Sequence, residues 1–192
     1  MAASPWATAP TCRLMNAEDD FDTRAFRSAL GSFATGVTVI TARGANNELA
    51  GLTVNSFASV SLTPPLVLWS LSLYSPVLAV FQHCSHYAIN VLAADQADLS
   101  DHFAKSTNDR SGEKFSGLEF DTGRGGAPLL PGCCARFECR NETRHAGGDH
   151  LIFVGLVEKF VREDRAPLLF QGGRYRRLEA VEAREKSRVL LR

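Results

Sequence analysis

The sequence predicts a mainly β protein: a single domain built as a closed or nearly closed barrel with a few short helices. Short β-branched or apolar runs recur at 37–42 (VTVITA), 66–72, 86–92 (HYAINVL) and 151–161 (LIFVGLVEKFV). Turn residues separate them: Gly44-Ala45-Asn46-Asn47, Pro64-Pro65 and Gly147-Gly148. Few stretches carry helical spacing. Many strands with few helices bury their edges best by closing on themselves.

Each element follows in order. Phe26, Leu30 and Phe33 recur at helical spacing, so 21–34 reads as a helix that Asp22 or Thr23 can cap and Gly36 ends. The run 37–42 is a strand, and 49–55 returns as its hairpin partner. Pro64-Pro65 separates 57–62 from the strand 66–72. Ser75-Pro76 starts a helix running to about Gln82. Next come a strand at 86–92 and a helix from a cap at Asp95 to Ala104. The polar, Gly-rich 105–126 reads as an excursion with a short strand near 118–120. In 135–143, Ala135, Phe137 and Cys139 alternate with Arg136, Glu138 and Arg140, the pattern of a half-buried strand. The strand 151–161 holds Gly155, which marks a bulge or close approach. A last strand starts at 167–170 and ends near Tyr175. Residues 1–20 read as a disordered leader, 21–178 as the domain and 179–192 as a charged tail.

Composition narrows the function. Hydrophobic residues make up 45% of 192, enough for a normal core. Lys+Arg and Asp+Glu both number 21, so no basic excess points to nucleic acid. The longest apolar run, 66–71, is too short to span a bilayer, and the first twenty residues lack a signal-peptide core. The expected location is the cytoplasm. The five cysteines (Cys12, Cys84, Cys133, Cys134, Cys139) match no zinc spacing and read as reduced thiols, with Cys84 and Cys139 acting as small core hydrophobes. His83, His86 and His102 form no ligand set with nearby carboxylates, so no metal is expected. No G-x-S-x-G occurs, which weakens a hydrolase reading.

The chemistry concentrates in 50–77, AGLTVNSFASVSLTPPLVLWSLSLYSPV. Thr53, Asn55, Ser56, Ser59, Ser61, Ser70, Ser72 and Ser75 interrupt its apolar runs. A buried hydroxyl without a partner costs about 1–3 kcal/mol. Either these groups bond their own backbone at strand ends and turns, or they hold a phosphate and a planar polar ring such as a flavin. His150 also has two readings, structural or functional. Gly147-Gly148 allows a sharp turn, Asp149 can orient the ring, and a strand start puts His150 at a barrel rim. There it could orient a nicotinamide carboxamide. Thr122 to Gly126 is Gly-rich but is not G-x-G-x-x-G. His102, Phe103 and Lys105 read either as a solvated helix end or as a contact for phosphate or adenine.

At these residues the chain resembles the flavin reductases that serve two-component flavin-dependent monooxygenases. The resemblance rests on six pieces in order: 26–41, 50–67, INVL at 89–92, HFA at 102–104, GGDH at 147–150 and PLLFQGGRY at 167–175. It implies an FMN-binding split β-barrel that dimerises and binds FMN or FAD near the subunit interface. Carried over, Gly51, Leu52 and Thr53 pass along the isoalloxazine, and Asn55 and Ser56 bond the ring edge or ribityl chain. Ser70, Leu71 and Ser72 lie at the ribityl and phosphate, and Ser75, Pro76 and Val77 cap the phosphate. His102, Phe103 and Lys105 complete the pocket. His150, the catalytic candidate, meets NADH or NADPH together with Asp149, Leu169, Phe170 and Tyr175. Arg174, Arg176 and Arg177 depart from the expected pattern and could contact a 2′-phosphate.

The implied activity is hydride transfer from a reduced nicotinamide to flavin, with the product supplied to a partner monooxygenase. A non-catalytic flavin-binding protein is the alternative, and it would not need the 147–150 turn. A split barrel acting on pyridoxine phosphate would show more Arg and Lys around its phosphate than 50–77 carries.

Overall fold

The computed structural model describes residues 21–105 and 113–179. The expected leader with Cys12, and the expected tail beyond Glu179, lie outside the described residues. Asp22 opens the first helix, α1 (Thr23–Leu30), its carboxylate accepting the N–H groups of Arg24 and Ala25 at 2.9 Å each. Such a cap stabilises a helix by about 1 kcal/mol. The helix stops at Leu30, short of the expected Ala34. Strands β1 (Thr35–Gly36), β2 (Thr38–Arg43), β3 (Leu49–Val54), β4 (Ala58–Leu62) and β5 (Pro65–Ser72) follow. Then come α2 (Leu78–His83), β6 (His86–Val91) and α3 (Ala97–Ala104). Short strands β7 (Asp121–Thr122) and β8 (Pro128–Leu129) lead to β9 (Ala135–Gly147) and β10 (His150–Arg162). Strands β11 (Leu169–Gln171) and β12 (Arg174–Arg176) end the fold.

Seven strands form one antiparallel sheet in the order β3-β2-β6-β9-β10-β5-β4. Chain connectivity forces this sheet to roll. Flat, its outer strands would stand six spacings of about 4.8 Å apart, roughly 29 Å. Yet β3 and β4 are joined by only residues 55–57. That link reaches about 14 Å at full stretch. The two edges therefore come together, and the sheet becomes a split barrel.

The interior holds Ile40, Trp69, Leu71, Phe81, Tyr87, Ile89 and Phe153, each no more than 3% exposed. Trp69 stacks on Phe153 at 4.5 Å and meets Phe81 and Tyr87 edge-on. A second core on the outer face packs Val37, Val39, Leu92, Phe103, Phe115, Leu130 and Leu168 under α3 and the 113–130 segment. This two-sided cover explains why Thr38–Ala42 of β2 are all buried instead of alternating with exposed residues.

Gly155 fulfils both readings of its position. The β9–β10 register shifts between Val154 and Gly155, and a side chain there would collide with the Tyr87 hydroxyl.

Several expectations change. Asp95 does not cap α3; its carboxylate pairs with Arg165 at 2.6 Å, and Gln96 is the N-cap residue. Helix α2 begins at Leu78, two residues after Pro76. Pro65 opens β5 rather than breaking it, and β4 pairs with β5 across the proline turn. The short strand expected near 118–120 sits at Asp121–Thr122. The expected last strand is a hairpin, because Gly172 (φ +56°) and Gly173 (φ +76°) make a tight two-residue turn between β11 and β12. Glu138 is 6% exposed although it was expected to face solvent. The excursion folds back over that face, so Glu138 accepts the Arg124 N–H at 2.7 Å and pairs with Lys159 at 3.3 Å.

Candidate functional site

A cleft of about 520 Å³ lies along the split of the barrel, between β3 on one side and the end of β5 with its following turn on the other. As an outer strand of the sheet, β3 pairs among the described residues only with β2, which leaves one edge of its main-chain N–H and C=O groups without a strand partner there. Strand β4 pairs with β5 only as far as Leu68. Beyond it, Ser56 takes the place of a strand: its Oγ accepts the Ser70 N–H at 3.0 Å and donates to the Ser70 carbonyl at 3.3 Å.

The expected hydroxyl cluster divides in two. Thr53 Oγ1 donates to the Ser100 carbonyl at 2.7 Å, Ser56 is held by Ser70, and Ser72 Oγ accepts the Tyr74 N–H at 3.2 Å. Those groups serve the fold. Among the described residues, the side chains of Asn55, Ser70 and Ser75 make no hydrogen bond, and all three line the cleft. Their donors and acceptors are available to a polar ligand.

The cleft brings together most of the expected residues: Gly51, Leu52, Thr53, Asn55, Ser56, Ser70, Leu71, Ser72, Ser75, Pro76, Val77, Phe103, Lys105 and His150. Gly51 has a packing reason as well, since a Cβ there would lie 2.6 Å from the Phe103 ring. Leu49, Ala50, Val54, Tyr74, Ala104 and Lys114 also line the cleft, and the sequence reading did not name them. Tyr74 is an aromatic beside the turn residues Ser75-Pro76, which is the sequence signal it carries. Lys114 carried none, because only the fold brings it beside Phe103, whose carbonyl accepts its Nζ at 3.0 Å.

Other expected residues stand apart. The His102 ring does not line the cleft; its Nε2 lies 2.7 Å from the Lys114 carbonyl and ties α3 to the 113–115 turn. Leu169 lines neither cavity. Phe170 and Tyr175 line a second cavity of about 210 Å³, which shares Thr53, Val54, Asn55 and Ala104 with the first. The Tyr175 hydroxyl bonds Asp101 at 2.5 Å and Ser100 at 2.9 Å. Burial first, and then Asp101, raises its pKa, so it stays protonated at neutral pH. Arg174 and Arg176 sit on the opposite side of β12 from Tyr175, and with Arg177 they are exposed and line neither cavity.

His150 reaches the rim through a two-residue turn. Gly148 (φ +68°) supplies the backbone sign that a tight hairpin needs at its first central residue. His150 stands opposite Ser72, and the Leu73 N–H donates to the Asp149 carbonyl at 2.9 Å, locking the two turns together. The Asp149 carboxylate does not line the cleft but lies 2.7 Å from His150 Nδ1. That hydrogen bond, then the ring's charge, holds the Asp149 carboxyl below the usual range. The pairing orients the ring and leaves Nε2 without a partner among the described residues.

Cys84 and Cys139 are not set up as nucleophiles. Burial pushes Cys84 up to about 11 and Cys139 up to about 12. His83 turns to the Ala79 carbonyl at 2.8 Å, away from the neighbouring thiol.

Residues 30–179 match the family described as flavin reductase like domain. The FMN reductase (NADH) SmoA of Agrobacterium fabrum is 47% identical, over 81% of this chain and 86% of its own. The reductase subunit HsaB of a flavin-dependent monooxygenase from Rhodococcus jostii is 37% identical, over 85% of this chain and 82% of its own. The NADH:FAD oxidoreductase SgcE6 of Streptomyces globisporus, solved in complex with NAD and FAD fragments, superposes with TM-score 0.77. It is 38% identical, over 84% of this chain and 96% of its own.

Proposed function

Since the chain belongs to the flavin reductase like domain family, we infer that it is an NAD(P)H:flavin oxidoreductase supplying reduced flavin to a partner monooxygenase. A hydride passes from the reduced nicotinamide to FMN or FAD. One observation carries the assignment of the site. An open strand edge, three polar side chains without partners among the described residues and an oriented histidine line one cleft.

The donor set suits a flavin. Its ring edge and side chain ask for many weak donors and acceptors, which the β3 edge, Asn55, Ser70 and Ser75 offer. Lys105 adds a positive charge for a phosphate. When bound, the flavin supplies the hydride-accepting chemistry, so the protein's task is to hold two planar rings in line. Asp149 accepts the Nδ1 proton of His150 and fixes the ring, so that Nε2 orients the nicotinamide carboxamide. Phe170 and Tyr175 back this region from the adjoining cavity.

We also propose a homodimer. Helix α1 buries none of its residues, leaving Phe26 at 49% and Leu30 at 58% exposure, and Phe33 just past its end is 77% exposed. An apolar stripe of this kind on a small protein marks a contact surface. A second copy would cover it. Light scattering of wild type and Leu30→Glu tests this: a dimer that becomes monomeric supports the reading, and a monomeric wild type rejects it. We place the protein in the cytoplasm, a reading supported by the free thiols of Cys84, Cys133, Cys134 and Cys139. Among the described residues no helix is long and apolar enough to cross a membrane.

The activity is tested by mixing the protein with NADH or NADPH and excess FMN, FAD or riboflavin. Flavin-dependent loss of the nicotinamide absorbance is expected. No loss with any pairing rejects the function.

A further inference from the structure

Tyr74 is the most exposed aromatic side chain on the cleft, at 86%. An exposed tyrosine on a floppy loop would mean little. This one sits on a braced turn. The Ser75 N–H donates to the Ser72 carbonyl at 3.0 Å, the Tyr74 N–H to Ser72 Oγ at 3.2 Å and the Leu73 N–H to the Asp149 carbonyl at 2.9 Å. The turn is thus tied to the hairpin that carries His150. Among the described residues the ring stacks on no other aromatic, and its hydroxyl bonds nothing. A tyrosine ring on a braced turn has only two side-chain torsions to give up when something stacks on it.

Resting on the reading of the cleft as a flavin and nicotinamide site, we propose that Tyr74 is a stacking platform for the adenine of a bound dinucleotide. The ring lies on the Ser72–Val77 side, where a phosphate is expected, so a base joined through a second phosphate can reach it. Adenine could come from FAD or from the nicotinamide dinucleotide. Both present the same purine face, and stacking on tyrosine tolerates either.

The test compares wild type, Tyr74→Ala and Tyr74→Phe with ligands that have or lack adenine. Dissociation constants for FAD and FMN are read from flavin fluorescence. KM values for NADH and reduced nicotinamide mononucleotide are read with FMN as acceptor. Loss of a stacked base weakens binding by about five- to hundredfold. Tyr74→Ala should lower the FAD-over-FMN affinity ratio by that factor if the adenine is the flavin's. It should lower the preference for NADH over the mononucleotide if the adenine is the nicotinamide's. Tyr74→Phe should keep either preference within about threefold, because the stacking face remains. Both ratios unchanged in Tyr74→Ala overturns the proposal, and so does an unchanged pair accompanied by loss of dimer on light scattering. A wild type that reduces no flavin overturns the underlying function instead, so the two failures are distinguishable.

Discussion

Asn55 and Ser56 are neighbours with opposite duties, and replacing each with alanine separates fold from binding. Ser56 Oγ makes two hydrogen bonds to the Ser70 main chain, at 3.0 and 3.3 Å, at the point where β4 has stopped pairing. Ser56→Ala leaves that N–H and carbonyl without a partner. Losing such bonds costs about 1–3 kcal/mol. At about 2–4 °C per kcal/mol for a domain of this size, melting should fall by roughly 2–12 °C. Asn55 is exposed and bonds nothing among the described residues, so Asn55→Ala should move melting by no more than about 2 °C. Its cost should appear in binding. One hydrogen bond is worth about 0.5–1.5 kcal/mol net, which raises the flavin dissociation constant about 2- to 13-fold. The assay pairs thermal unfolding with titration of FMN followed by its own fluorescence. An Asn55→Ala protein with full flavin affinity, or one that melts like Ser56→Ala, refutes the division of labour.

Further outcomes follow from the same structure. His150→Ala should slow hydride transfer on the order of 10- to 100-fold through misplacement of the nicotinamide, while flavin affinity stays within about twofold; stopped-flow reduction separates the two. Gly155→Ala forces a side chain onto the Tyr87 hydroxyl in the barrel interior. It should destabilise by about 1–3 kcal/mol in urea unfolding, and a neutral result would contradict the close packing described. Cys139 is fully buried and its pKa is raised to about 12, so its thiolate is scarce below that pH. Iodoacetamide at neutral pH should leave it unmodified until denaturant is added, as peptide mass mapping would record. The Asp149 carboxyl is held below its ordinary value by His150. The bond therefore helps at pH above about 4 and is lost as acid protonates the carboxylate. The nitrogen chemical shifts of the His150 ring should report that loss in the acid range.

Strands were legible because apolar runs and turn residues speak locally. Asn46-Asn47 marked the first hairpin, and Gly155 announced a close approach that Tyr87 supplies. What the sequence concealed was mostly competition for partners. Asp95 looked like a cap, yet Arg165, seventy residues away, holds its carboxylate. Glu138 alternated like an outward residue, and only the returning 121–130 segment buries it. The Gly172-Gly173 turn was too short to register within a run otherwise readable as one strand. At the site, the donor-rich stretch was visible but its split was not. Whether a hydroxyl faces ligand or main chain depends on where β4 stops and α3 lands, as Ser56 and Thr53 illustrate. His102 misled for the same reason: its neighbour Phe103 enters the cleft wall while its own ring turns to Lys114.

Amide hydrogen exchange with and without saturating FMN tests the placement of the flavin most directly. Slowed exchange confined to 49–56 and 70–77, the two walls of the open seam, is the expected result. Protection that instead falls on the β9–β10 ribbon or around α1, with both walls unchanged, would contradict it.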